Sequence, residues 1–194
     1  MANIKTRAVT EQEFKDIITT IRTGFILPSG QRVRSNEKIA TALVLEANLG
    51  MRISDILKLR AKDIVFEGGR YHLQVLEQKT KKWRTFTVPI DIYTYIINYQ
   101  AERGLKATQP LFDISSRAVQ KHLTLVCEYL GLKGNISSHS FRKFYAQKIF
   151  DNNNQNIELV RELLQHSSIA ISQHYIGVDS KTVESAIQNH IYLP

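Results

Sequence analysis

Cysteine is almost missing from these 194 residues: Cys127 is the single one. One thiol cannot form an internal disulfide or build a cysteine-rich zinc site. It sits in HLTLVCEYL, where it reads as a buried helix position and not as a reactive thiol. No apolar run approaches the roughly 18 residues that would suggest a membrane span, and no signal peptide opens the chain. Internal repeats and low-complexity tracts are also missing. The expectation is a soluble protein of the cytoplasm. Acidic residues are in deficit, 18 against 26 Lys and Arg, for a net charge of +8 and a pI near 9.6. That balance favours a polyanionic partner. Hydrophobic content of 43% and charged content of 23% are ordinary for a globular protein, and the length suits one sizeable core.

Taken in order, residues 1–9 form a basic arm. Thr10-Glu11-Gln12-Glu13 is a capping box that opens a helix with Phe14, Ile17, Ile18 and Ile21 on its apolar side. Residues 24–34 carry Gly and Pro and read as a loop. Ser35 is the expected cap of the next helix, IATALVLEANL, whose continuous apolarity marks it as central and which stops at Gly50. Ser54 is the expected cap of a following helix, which puts Arg52 in the turn between the two. There a guanidinium can be aimed at a phosphate.

From Asp63 to Val88 the period changes to alternation, giving three short antiparallel strands with Gly68-Gly69 in the first turn. The second turn, Lys79-Thr80-Lys81-Lys82-Trp83, is a basic tip with one aromatic. Beyond it, Asp91 is the expected cap of an amphipathic helix, and Ser115 or Ser116 caps another that ends near Gly131. The fold class is α+β, mainly helical with a small three-stranded antiparallel sheet.

The chemistry concentrates between Ser138 and Tyr175. His139 and Arg142 are three apart and share a helix face. DNNNQN is a loop, and Asn156 caps the short helix NIELVRELL. His166 and Tyr175 then stand at either end of SSIAISQHY, a stretch of helical length. Alone, each has an ordinary structural reading. Together, two imidazoles, a guanidinium and a phenol suggest phosphoryl chemistry, with cations to hold a phosphate and an oxygen nucleophile to attack it.

In order and spacing these residues resemble the tyrosine recombinases, or phage-type integrases. His139-Ser140-Phe141-Arg142 resembles their His-x-x-Arg, Leu49-Gly50-Met51-Arg52-Ile53-Ser54 their first arginine motif, and His166 and Tyr175 their later His or Trp and nucleophile. The resemblance implies a catalytic domain over residues 10–178 and a tail helix at 179–194 that packs onto a neighbouring subunit. It implies site-specific recombination of double-stranded DNA through a 3′-phosphotyrosyl intermediate. In that scheme Tyr175 attacks, Arg52 and Arg142 hold the non-bridging oxygens, His166 donates to the phosphate and His139 takes the tyrosyl proton. Lys79 is the general acid, with Lys81 as its rival, because the turn is longer than usual and lacks Gly-Lys-Gly. Asp55 stands where the family usually has Glu and supports the site by hydrogen bonding, His139 being its candidate partner. Lys81, Lys82, Arg84 and Lys143 are expected DNA contacts. No cofactor or metal is implied. The implied source is bacterial or phage, and the implied assembly is a tetramer on DNA from a protein that can be monomeric in isolation.

Three departures stand out. Gln165 replaces the usual Gly before the second His, Phe141 replaces Leu in His-x-Leu-Arg, and the family's N-terminal core-binding domain has no counterpart in these residues. The alternatives are a type IB topoisomerase-like activity and a catalytically silent DNA-binding protein on the same fold.

Overall fold

The computed structural model describes residues 6–76, 83–164, 166 and 168–176, with the main chain alone at Arg84, Phe86, His174 and Tyr175. Two units divide at Tyr145/Ala146. The first begins with α1 (Glu11–Thr23), fixed by the expected capping box: the Glu13 N–H donates to Thr10 Oγ1 at 3.1 Å and the Thr10 N–H to Glu13 Oε2 at 2.8 Å. Residues 24–34, read from sequence as a loop, contain a two-stranded ladder, β1 (Phe25–Ile26) with β2 (Arg32–Val33). Two-residue strands are too short to show alternation, so the sequence signal was only that of the turn between them.

α2 (Glu37–Leu49) is the axis of this unit. Nine of its thirteen residues are buried, as its nearly continuous apolarity requires. Its cap is Asn36, not Ser35; the Asn36 side chain accepts the Ile39 N–H at 3.1 Å. Against α2 lie α1 and the short α3 (Ile53–Ile56). α3 starts two residues earlier than expected, with Arg52 at the cap position and Ser54 inside the helix.

A 3-10 turn (Ala61–Asp63) leads into an antiparallel sheet in the order β3 (Ile64–Glu67), β4 (Arg70–Leu76), β5 (Trp83–Val88). Gly68 and Gly69, with φ of 58° and 77°, make the first turn as expected. Register pairs Leu73 with Ile64 and Phe86, and Leu76 with Trp83. Leu73 and Val88 are the sheet's buried positions among those described. The tip carrying Lys79, Lys81 and Lys82 lies outside the described residues.

α4 (Ile90–Glu102) begins one residue before Asp91, with Pro89 at its cap; Asp91 falls in the first turn, where its charge suits the helix dipole. α5 (Ser116–Tyr129) is capped by Ser115, whose Oγ accepts the Ala118 N–H. Cys127 is partly buried on it, and burial pushes its thiol up to about 11, so it is a packing residue. α6 runs Ser138–Asn152, which carries helix into the start of the expected Asn-rich loop; the turn follows at residues 153–155.

The second unit contains the end of α6, then α7 (Ile157–Leu164) and α8 (Ile169–Ile176) packed on each other. Asn156 caps α7 as expected, accepting the Leu159 N–H at 3.0 Å. The expected tail helix at 179–194 lies outside the described residues. Among the described residues no helix is long and apolar enough to cross a membrane.

Candidate active site

Gly50 is the residue on which the arginine cluster is built. It ends α2 in the left-handed conformation, φ 60° and ψ 18°, with its N–H returning to Glu46 O at 3.0 Å. A β-carbon there would collide with the Tyr145 ring, so both backbone and space demand glycine. Its carbonyl, turned out of the helix by that conformation, accepts a 2.5 Å hydrogen bond from Arg142 Nη1, 92 residues further along. Two residues on, Arg52 is half-buried, and its carbonyl starts α3 by accepting the N–H groups of Asp55 and Ile56. Arg142 is therefore tied to the main chain two residues before Arg52, the other arginine that the sequence motifs singled out.

The start of α6 is fixed separately. The Ser137 N–H donates to Ser140 Oγ at 3.1 Å, the Ser140 N–H returns to Ser137 O at 2.9 Å, and the Ser138 N–H reaches Gln120 Oε1 on α5. This fixes the rotation of the helix. Its residues divide accordingly: Ser140, Phe141 and Arg142 have no exposure, while His139 is exposed. Phe141, the departure from the family's Leu, packs edge-on against Phe14 at 6.0 Å. Asp55 is 1% exposed, in the first turn of α3. Lys143 is also buried and donates through Nζ to Thr6 O at 2.7 Å, tying the basic arm to α6.

Sequence reading passed over Glu46. It is fully buried, and neither carboxylate oxygen meets a donor in good hydrogen-bond geometry among the described residues. Burial raises its pKa well above the ordinary carboxyl value, against the opposing pull of Arg142 and the Ile53 amide. A signal did exist, since Glu46 is the one charged residue in IATALVLEANL.

In the second unit, His166 is 7% exposed and Ser172 is fully buried. The His166 N–H donates to Arg161 O at 2.9 Å, and His166 Nδ1 lies 2.9 Å from Ser172 Oγ. Tyr175 lies on α8, three residues after Ser172. Arg84 lies on β5 opposite Val75. Among the described residues no group of three His, Cys, Asp or Glu is placed to hold a metal ion.

A helical unit with a three-stranded sheet, and a second unit of short helices that follows it in the chain, make up the fold of tyrosine recombinase catalytic domains. The fold is that of XerH, a site-specific recombinase solved in a post-cleavage complex with palindromic difH substrate: TM-score 0.72 at 19% identity, covering 97% of this chain and 54% of that one. The chain belongs to the phage integrase family, whose model matches residues 7–182. It is 27% identical over 162 residues to the probable integrase/recombinase YoeC of Bacillus subtilis (strain 168), covering 79% of this chain and 85% of YoeC. It is also 27% identical over 192 residues to tyrosine recombinase XerA of Pyrococcus furiosus, covering 94% of this chain and 61% of XerA. The chain thus spans just over half the length of XerH and about three-fifths of XerA.

Proposed function

We propose that this chain cuts and rejoins DNA in site-specific recombination, with Tyr175 as the nucleophile. The observation that supports the proposal is the hydrogen bond from Arg142 to Gly50 O, which ties that cation to the turn that carries Arg52. Two guanidinium forks match the paired non-bridging oxygens of a phosphodiester and stabilise the charge that grows as the fifth oxygen bonds. Arg142 is fully enclosed, so its contact with a phosphate requires the surrounding side chains to give way.

A free phenol, with a pKa of about 10, is a weak nucleophile at neutral pH, so a proton acceptor is needed. His139, exposed at the start of α6, is assigned that role, and Asp55 supports it. Attack by Tyr175 Oη on phosphorus forms the 3′-phosphotyrosyl ester and breaks the bond to the 5′-oxygen. That oxygen leaves with a proton from the hairpin lysine, Lys79 or its rival Lys81. The ester keeps the energy of the broken bond, so rejoining needs no nucleotide. His166 adds a hydrogen bond to the phosphate. Duplex DNA is the partner, and assembly into a tetramer on it follows the family pattern.

The test uses supercoiled plasmid with excess protein in EDTA, read on a denaturing gel for a covalent protein–DNA adduct. Wild type should give the adduct, and Tyr175→Phe should give none. An adduct that persists in Tyr175→Phe removes the nucleophile assignment. Relaxation of a single plasmid without any exchange between two duplexes would favour the topoisomerase reading.

A further inference from the structure

We propose that Ser172 is a positioning residue that sets the tautomer of His166. Its hydroxyl donates to Nδ1, which leaves the proton on Nε2 as the donor to the scissile phosphate. This rests on the reading of His166 as a phosphate ligand and adds to it the group that makes it one.

The geometry is specific. Ser172 Oγ and His166 Nδ1 are 2.9 Å apart, and the contact is buried on both sides. The main chain of His166 is held independently. Its N–H donates to Arg161 O at the end of α7, and Arg161 Nη1 donates back to His166 O at 3.4 Å. Arg161 is itself fixed through Nε to Glu158 Oε1 at 2.7 Å. With the backbone so clamped, the serine bond is free to select the state of the ring.

A neutral imidazole has one N–H and one bare nitrogen, and the partner of one nitrogen decides the role of the other. If Nδ1 carried the proton and Ser172 accepted it, Nε2 would present a lone pair to a phosphate oxygen, which is repulsive. If Ser172 donates, Nε2–H faces the phosphate without the ring having to be charged. Only the second arrangement lets a neutral His166 act as assigned.

The location of the serine adds a consequence. Ser172 and Tyr175 lie three residues apart on α8, whereas His166 precedes that helix. A shift of α8 that moves the nucleophile also removes the hydroxyl that prepares the histidine. Attack and phosphate binding are thereby tied to one helix position.

The experiment is histidine ring nitrogen NMR on the full chain labelled with ¹⁵N-histidine, at a pH well above the ordinary imidazole value of about 6.5. The His166 signal is assigned by its loss in His166→Gln. Wild type and Ser172→Thr should show the Nε2–H tautomer, and Ser172→Ala should shift toward a mixture. Nicking of supercoiled plasmid should slow about tenfold in Ser172→Ala with plasmid binding unchanged, and Ser172→Thr should restore it. An Nδ1–H tautomer in wild type, or a pattern unmoved by Ser172→Ala, overturns the proposal. The ring signals are read without DNA cleavage. A chain that shows the expected tautomers but never cuts plasmid therefore supports the serine's role while removing the recombinase reading.

Discussion

The arginine turn and the three-stranded sheet belong to the same unit and are built in opposite ways. Around Gly50, Met51, Asp55, Ile56 and Arg142 are all almost without exposure. In the sheet, Leu73 and Val88 are buried, yet Phe66 is 63% and Trp83 72% exposed. Under the proposed function, the difference suits two tasks. Holding a phosphate in a reactive geometry needs cations whose positions the core determines, because small displacements cost large factors in rate. A surface that meets DNA can instead be a thin layer, with its outer face left out of the core. The division predicts that equal-sized changes in the two regions have very unequal effects.

The largest effect is expected at Gly50. In Gly50→Ala the new methyl both enters the Tyr145 ring and sits in left-handed backbone. The two penalties together come to about 3 kcal/mol of stability, from typical costs of a strained left-handed residue and of overpacking. Chemical denaturation measures it. The same variant should lose adduct formation even under conditions where it remains folded, because relief of the clash moves the carbonyl that holds Arg142. A Gly50→Ala protein with wild-type stability would mean the turn is as adaptable as the sheet.

Glu46 comes next and tests the electrostatics of the same turn. Its pKa is raised in the folded protein, so the folded state binds the proton more tightly than the unfolded chain. Stability from this group is therefore fully present below the unfolded value of 4.5, and it is lost as pH rises from there through the folded value. Glu46→Gln cannot ionise. Relative to wild type it should gain stability with rising pH over that window, by at most about 1.4 kcal/mol per pH unit for one proton. Glu13, Asp113 and Glu158 have lowered values and act in the opposite direction, but they are common to both proteins and cancel in the difference. A difference that stays flat with pH would mean that Arg142 compensates the buried carboxylate fully.

How far these features were legible in the sequence follows from whether each depends on neighbours along the chain. The capping box at Thr10, the Gly-Gly turn and the Asn156 cap are local and were readable, as was His139 with Arg142 on one helix. Ser35 and Ser54 do not cap these helices, because a hydroxyl at a helix start is only one of several ways to begin it. Asn36 and the backbone geometry of Arg52 were the solutions taken. The bond from Arg142 to Gly50 and the engagement of Lys143 by Thr6 span 92 and 137 positions, and no local pattern encodes them. The motif spacing showed which residues matter. It did not show that the glycine's carbonyl would hold one of the arginines.

The smallest stability effect is expected at Trp83, and it sharpens the comparison from the other side. Trp83 pairs across the ladder with Leu76, itself 39% exposed, so little apolar area leaves water there on folding. Trp83→Ser should therefore change stability by no more than about 0.5 kcal/mol, the usual range for surface positions. It is the only tryptophan in the chain, so its fluorescence reports on the outer face of the sheet alone. Wild type should emit at the long wavelength of a hydrated indole and should be quenched on titration with duplex DNA. If the sheet is the surface that meets DNA, Trp83→Ser should also bind that duplex more weakly while its melting curve overlays that of wild type. Its salt dependence should be unchanged, because an indole neutralises no phosphate. A Trp83 emission insensitive to DNA would instead place the contact elsewhere and leave the sheet as a structural layer.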